Sequence, residues 1–175
     1  SGWPEITGLD ADLRFEGNGM LVDLRRGAIL GARLSQTRAE IPDFDAPVST
    51  LKVQGHAEGD TAQFLKFVVD SPVADRIDHF TDAMRASGKG RLDIGLEIPL
   101  EEAQLGESKI DGDYVFLANE VNVDPALPPL RDVNGRLQFT ADDLRIPEIK
   151  AKLADAPVKI KGGAENGKVL VNIDG

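Results

Sequence analysis

The chain has no cysteine, and only two histidines, one tryptophan and one tyrosine in 175 residues. The missing thiols exclude disulfides, thiolate catalysis and cysteine metal sites, but do not identify the compartment. Aromatic residues make up 5% of the chain while hydrophobic residues make up 41%, so aliphatic side chains must fill whatever core exists. No run of 18 apolar residues is present, so no stretch of this sequence can span a membrane as a helix. Lys plus Arg number 20 against 30 Asp plus Glu, a net charge of −10. That balance argues against non-specific nucleic-acid binding and against electrostatic docking on anionic headgroups. No signal peptide is visible at the start. Ser1-Gly2 reads as a vector remnant, and the chain stops at Asn172-Ile-Asp-Gly175 just after a strong strand, so a piece of a longer protein is expected.

What the sequence does have is alternation. Leu92, Ile94, Leu96, Ile98 and Leu100 fall on one side of a period of two, and Arg91, Asp93, Gly95, Glu97 and Pro99 on the other. This predicts a long strand with one apolar and one wet face. Leu13 and Phe15 alternate with Asp12, Arg14 and Glu16; after the turn signal Glu16-Gly-Asn-Gly19, Met20, Val22 and Leu24 alternate with Leu21, Asp23 and Arg25. Gly27 is expected to break that run, and Ala28 to Ile41 to hold a strand or strand pair. Leu51, Val53, Gly55 and Ala57 oppose Lys52, Gln54, His56 and Glu58.

Residues 60–87 change period. Asp60 is a plausible N-cap before Phe64, Leu65, Val68 and Val69 at helical spacing; Ser71-Pro72 restarts a helix carrying Val73, Ile77, Phe80 and Met84, with Gly88 as its C-terminal stop. Two short strands are expected within 108–123, then a rigid Asp124–Pro129 linker. Val133–Phe139 and Leu144–Leu153 form a hairpin, and Val158–Gly163 and Val169–Ile173 another, turning at Glu165-Asn-Gly167. The expected organisation is a β unit (3–59), a helical pair (60–87), a long strand with a hairpin (88–125) and a second β unit (126–175). The two β units match at constant spacing: Pro4 with Pro128, Leu13 with Leu137, Phe15 with Phe139, Met20 with Leu144 and Val22 with Ile146. Shared β-patterning and an internal repeat both explain this match.

About ten strand segments each carry an apolar face, and only two helices are available to cover it. A β-sandwich solves this. So does one long antiparallel sheet curved into a groove, covered in part by the helices and in part by ligand. A trough of Leu, Ile and Val suits acyl chains, each buried methylene contributing about 0.8 kcal/mol. Nothing marks a catalytic site or a cofactor. His56 and His79 lack a third metal ligand, Asp43, Asp45, Asp111, Asp113, Asp142 and Asp143 suit turns, and Gly88-Lys-Gly90 lacks phosphate-loop spacing. Lys150, Lys152, Lys159 and Lys161 read as a solvated strand face. A carbohydrate-binding or carbohydrate-cleaving β-protein is disfavoured by the scarcity of Trp and Tyr.

Three stretches resemble the YhdP family of AsmA-like envelope proteins of Gram-negative bacteria: Leu127–Phe139 followed by Leu144–Ile149, Ser87–Leu100 running into Lys109–Phe116, and Phe64–Val73 just after Leu51–Gly55. The resemblance implies a periplasmic protein anchored in the inner membrane, built of repeated β-units that form a long hydrophobic groove. It also implies a role in moving phospholipid toward the outer membrane. The partners implied are phospholipid acyl chains and neighbouring β units of the same parent chain; no enzyme, cofactor or nucleic acid is implied. The family offers no motif for the groove lining, so the apolar strand faces are the candidates. These are Leu13 and Phe15; Leu51 and Val53; Leu92, Ile94, Leu96, Ile98 and Leu100; Leu137 and Phe139; Val158 and Ile160; and Val169, Val171 and Ile173. The alternative is a β-scaffold of the envelope that binds no lipid.

Overall fold

A computed structural model describes residues 5–70, 81–101, 106–141, 143–165 and 168–175. Ten strands form one antiparallel sheet whose spatial order is the sequence order, and the sheet does not close into a barrel. They are β1 (Ile6–Glu16), β2 (Gly19–Ile29), β3 (Ala32–Ile41), β4 (Thr50–Asp60), β5 (Arg85–Pro99), β6 (Lys109–Asn122), β7 (Leu130–Thr140), β8 (Leu144–Leu153), β9 (Ala156–Glu165) and β10 (Lys168–Asp174). A single helix among the described residues, α1 (Thr61–Val69), follows β4 directly. Its start is held by the Asp60 backbone N–H donating to Gln63 Oε1 at 3.1 Å, one half of a capping box.

Two-residue turns with positive φ at both positions join β2 to β3 (Leu30 48°, Gly31 88°) and β8 to β9 (Ala154 47°, Asp155 68°). That geometry matches the twist of the flanking strands. Further positive φ values fall where strand register slips: Gly8 (60°) in β1, Gln36 (47°) in β3, Gly88 (106°) in β5, Ala118 (51°) in β6 and Asp132 (51°) in β7. Each is a bulge, and bulges bend a strand and increase its twist. They give this sheet its curvature.

The sandwich alternative is overturned: there is one sheet, with no second layer among the described residues. The accessible surface, 10,874 Å², is well above the roughly 8,300 Å² of a compact monomer of this mass. Helix α1 stands as expected, but Arg85–Ser87 is strand and not helix, and most of the second expected helix lies outside the described residues. Gly88 is a bulge within β5, not a helix stop: a Cβ there would lie 2.9 Å from Asn119 Cα of β6. Gly27 does not break β2, which runs through to Ile29. The two short strands expected in 108–123 are one strand, β6, bent at Ala118.

The matching β units are the same piece of structure. β1 and β7 run from Ile6 to Glu16 and from Leu130 to Thr140, and β3 and β9 from Ala32 to Ile41 and from Ala156 to Glu165, all at one constant offset. The turns Leu30-Gly31 and Ala154-Asp155 keep that offset, as do the bulges at Gly8 and Asp132. So do the pairs Ile6 with Ile29 and Leu130 with Leu153, and Phe15 with Met20 and Phe139 with Leu144.

Candidate functional site

Residues paired across neighbouring strands share a face, so the register assembles the surface row by row. Leu13, Val22, Ala39, Val53, Leu96 and Ile110 form one unbroken apolar row across β1 to β6. At about 4.8 Å between strands this row is roughly 24 Å long. Beside it, Gly55, Ile94, Gly112, Phe139 and Leu144 cross β4 to β8. Leu51 pairs with Ile98 on the turn side. On the other side, Ala57, Leu92, Tyr114 and Leu137 make a further row, and Gly90, Phe116, Gly135, Ile149, Ile160 and Ile173 the next.

Two of the glycines in these rows, Gly90 and Gly112, are covered by aromatic side chains. The Phe139 ring lies over Gly112, where a Cβ would be 2.2 Å from it, and the Tyr114 hydroxyl lies over Gly90.

The rows are not equally covered. Leu13 is 55% exposed and Phe15 69%, whereas Leu51, Val53, Leu92, Ile94, Leu96, Ile98, Leu137 and Phe139 are half-buried. Val158 and Ile160 are buried, in a cluster with Val121, Val133, Ile149 and Ala151 that Met84, Phe116 and Leu130 pack against. These two candidates are therefore core residues and line no open surface. Val171 and Ile173 are exposed on the edge strand β10. Leu100 lies just past the end of β5, its N–H donating to the Ser49 carbonyl at 2.8 Å. The Val169 side chain lies outside the described residues.

Between the half-buried rows and the closed cluster sits α1. Phe64 meets the Tyr114 ring edge-on at 5.2 Å, and Tyr114 meets Phe116 in the same way at 4.9 Å. Thr61 and Asn119, 2% and 1% exposed, form a polar cluster with Tyr114 inside this apolar setting. The Thr61 hydroxyl donates to Asn119 Oδ1, Tyr114 donates to Thr61 Oγ1 at 2.8 Å, and Asn119 Nδ2 donates to the Lys89 carbonyl at 2.7 Å. Burial pushes the Tyr114 phenol up to about 12. The sequence reading missed this cluster. An isolated Asn inside the β6 pattern, where the alternation slips at Ala118, was the signal that could have found it.

The opposite face is charged and wet. Arg14 pairs with Asp23 at 2.6 Å, Lys109 with Glu97 at 3.2 Å and Arg136 with Asp113 at 3.1 Å, all across neighbouring strands. His56 bridges Asp93 at 2.8 Å and Glu58 at 3.3 Å, and the hydrogen bond that its ring donates to Asp93 leads the causes that raise its pKa. Of Lys150, Lys152, Lys159 and Lys161, all on this face, Lys152 pairs with Asp132 at 2.7 Å, and Lys161 and Lys150 reach Glu148 at 3.5 and 3.9 Å. A shallow cleft of about 830 Å³ on this face, bordered by Arg38, Glu40, Lys52, Glu97, Lys109 and Asp111, mixes both signs of charge. Among the described residues no group of three or more His, Cys, Asp or Glu could hold a metal ion. No helix of the described residues is long and apolar enough to cross a membrane.

The surface is thus a sheet with one aliphatic face, part open and part closed, and one ion-paired face. The chain is 24% identical over 177 residues to the Intermembrane phospholipid transporter YhdP of Escherichia coli (strain K12). That alignment takes in 99% of this chain and 14% of the transporter, so the chain spans about one seventh of its relative. No solved structure matches significantly. The sequence pattern of the family described as YhdP protein matches residues 1–175, and the chain belongs to that family.

Proposed function

We propose that this chain is a segment of a non-enzymatic conduit for phospholipid between the inner and outer membranes. In this reading acyl chains rest on the apolar face and headgroups stay at its wet edge. The parent protein is anchored in the inner membrane and crosses the periplasm, and neighbouring β units continue the sheet at its two edge strands, β1 and β10. The single observation that carries the reading is the apolar row from Leu13 to Ile110. It crosses six strands without a polar side chain, and much of it is accessible. Such a floor offers no directional hydrogen bonds, so nothing holds a lipid at one place along it. The named relative, a phospholipid transporter, supports the same cargo.

The test is photocrosslinking in cells, with a photoreactive residue at Ile94 of the full-length protein and Asp93 on the charged face as control. Phospholipid adducts at Ile94 and none at Asp93 are expected. No adduct at either position in a folded, expressed protein would refute the conduit and leave a β-scaffold of the envelope.

A further inference from the structure

We propose that the apolar face is divided in two, that acyl chains use only the half nearer the Asn18, Phe44 and Thr140 turns, and that α1 with the buried Thr61–Tyr114–Asn119 cluster is the dividing wall. This inference rests on the lipid reading above and assigns the lipid a place within the face.

Three observations carry it. The first is the contrast in cover. On the turn side of the Tyr114 row, Val53, Leu96, Ile110 and Phe139 are half-buried and the row opens out at Leu13. On the far side, Val121, Val133, Ile149 and Ala151 are 2–7% exposed and packed on one another, with Phe116, Leu130 and Leu153 packed against them. The second is chemical. Where α1 packs on β4 and β5, an acyl chain moving from one half to the other would have to part Thr61, Tyr114 and Asn119, and it has no donor or acceptor to replace what it breaks. Buried polar groups left unpaired make that passage unfavourable. The third is length. From Ile94, one row to the turn side of Tyr114, to Pro99 the open half runs five residues along β5, roughly 17 Å. One leaflet of a bilayer's hydrocarbon is about 15 Å deep, so a chain lying along the strands fits without crossing the wall. Since α1 closes one end, the headgroup meets water at the opposite edge, by the β1–β2, β3–β4 and β7–β8 connections.

Two phenylalanines on adjacent strands flank the wall. Phe139 lies one row to the turn side of Tyr114, and Phe116 one row to the far side. Replacing each in turn by a photoreactive phenylalanine analogue in the full-length protein keeps an aromatic ring in place. The charged-face residue Arg91 sets the background. Expected are phospholipid adducts at Phe139 and none above the Arg91 background at Phe116. Leu153, which also packs on the closed cluster, is the second far-side position should the analogue at Phe116 prevent folding. Adducts on both sides, or on the far side alone, would overturn the division while leaving the lipid reading intact. Adducts at neither, in folded protein, would overturn both.

Discussion

Replacing Thr61 by valine probes the wall at its most connected atom. The substitution keeps the side chain's volume and removes one hydroxyl, which donates to Asn119 Oδ1 and accepts from Tyr114. Both partners are left in a dry environment, since Asn119 is 1% and Tyr114 6% exposed. At about 1–3 kcal/mol for each orphaned group, Thr61→Val is expected to cost about 2–5 kcal/mol. For a chain of this size each kcal/mol lowers the melting temperature by about 2–4 °C, so the midpoint should fall by roughly 4–20 °C. Asn119→Ala orphans the Thr61 hydroxyl and the Lys89 carbonyl and should cost a similar amount. The double variant no longer contains the Thr61–Asn119 pair, so its loss should fall short of the summed losses by at least about 1 kcal/mol. Urea unfolding followed by circular dichroism gives all four corners of the cycle. A loss below about 0.5 kcal/mol for Thr61→Val, or additivity within that margin, would refute the argument that the cluster is a coupled, buried network.

Three further outcomes are expected. Gly112→Ala should destabilise by about 1–3 kcal/mol, because its Cβ would intrude on the Phe139 ring; Gly95→Ala, whose Cβ would meet nothing closer than the Asp111 carbonyl at 3.9 Å, should be neutral or stabilising in the same unfolding assay. The pKa of His56 is raised by Asp93 and Glu58, so the folded state binds its proton more tightly than the unfolded chain. That contribution to stability is complete below about pH 6.5 and is lost as pH rises through the raised value; a pH series should show the decline in the native chain and a flatter profile in His56→Gln. The isolated chain should self-associate with rising concentration through its open apolar face and its edge strands, and sedimentation showing a monomer throughout would count against an accessible face.

Much of the sheet was legible because period-two alternation fixes which side chains share a face. Leu92 to Ile98 and Leu51 to Ala57 carry it without a fault, and both lie where they were read. The repeat was legible in matched prolines and aromatics. The single layer was not, since alternation describes one face of one strand and is silent on whether the cover is a second sheet or nothing. The bulges were illegible for a related reason. Gly88 has the composition of a helix stop, and its positive φ is spent on a mismatch between β5 and β6 that exists only once those strands pair. Val158 and Ile160 alternate just as Leu96 and Ile98 do; only packing against Ile149 and Ala151 makes them core. The Thr61–Tyr114–Asn119 cluster joins residues more than 50 positions apart, beyond the reach of any local pattern.

A sheet whose strands follow the order of the chain has consequences for how it assembles. Every strand pairs only with the one before it and the one after it, so each ladder closes across a single connection. Low sequence separation between partners lowers the entropic barrier to pairing and speeds folding. Formation can begin at any hairpin and spread both ways, with no strand waiting on a distant partner. A hairpin added or removed at either edge leaves the remaining ladders as they were, so a protein of this design can be lengthened by duplicating such units.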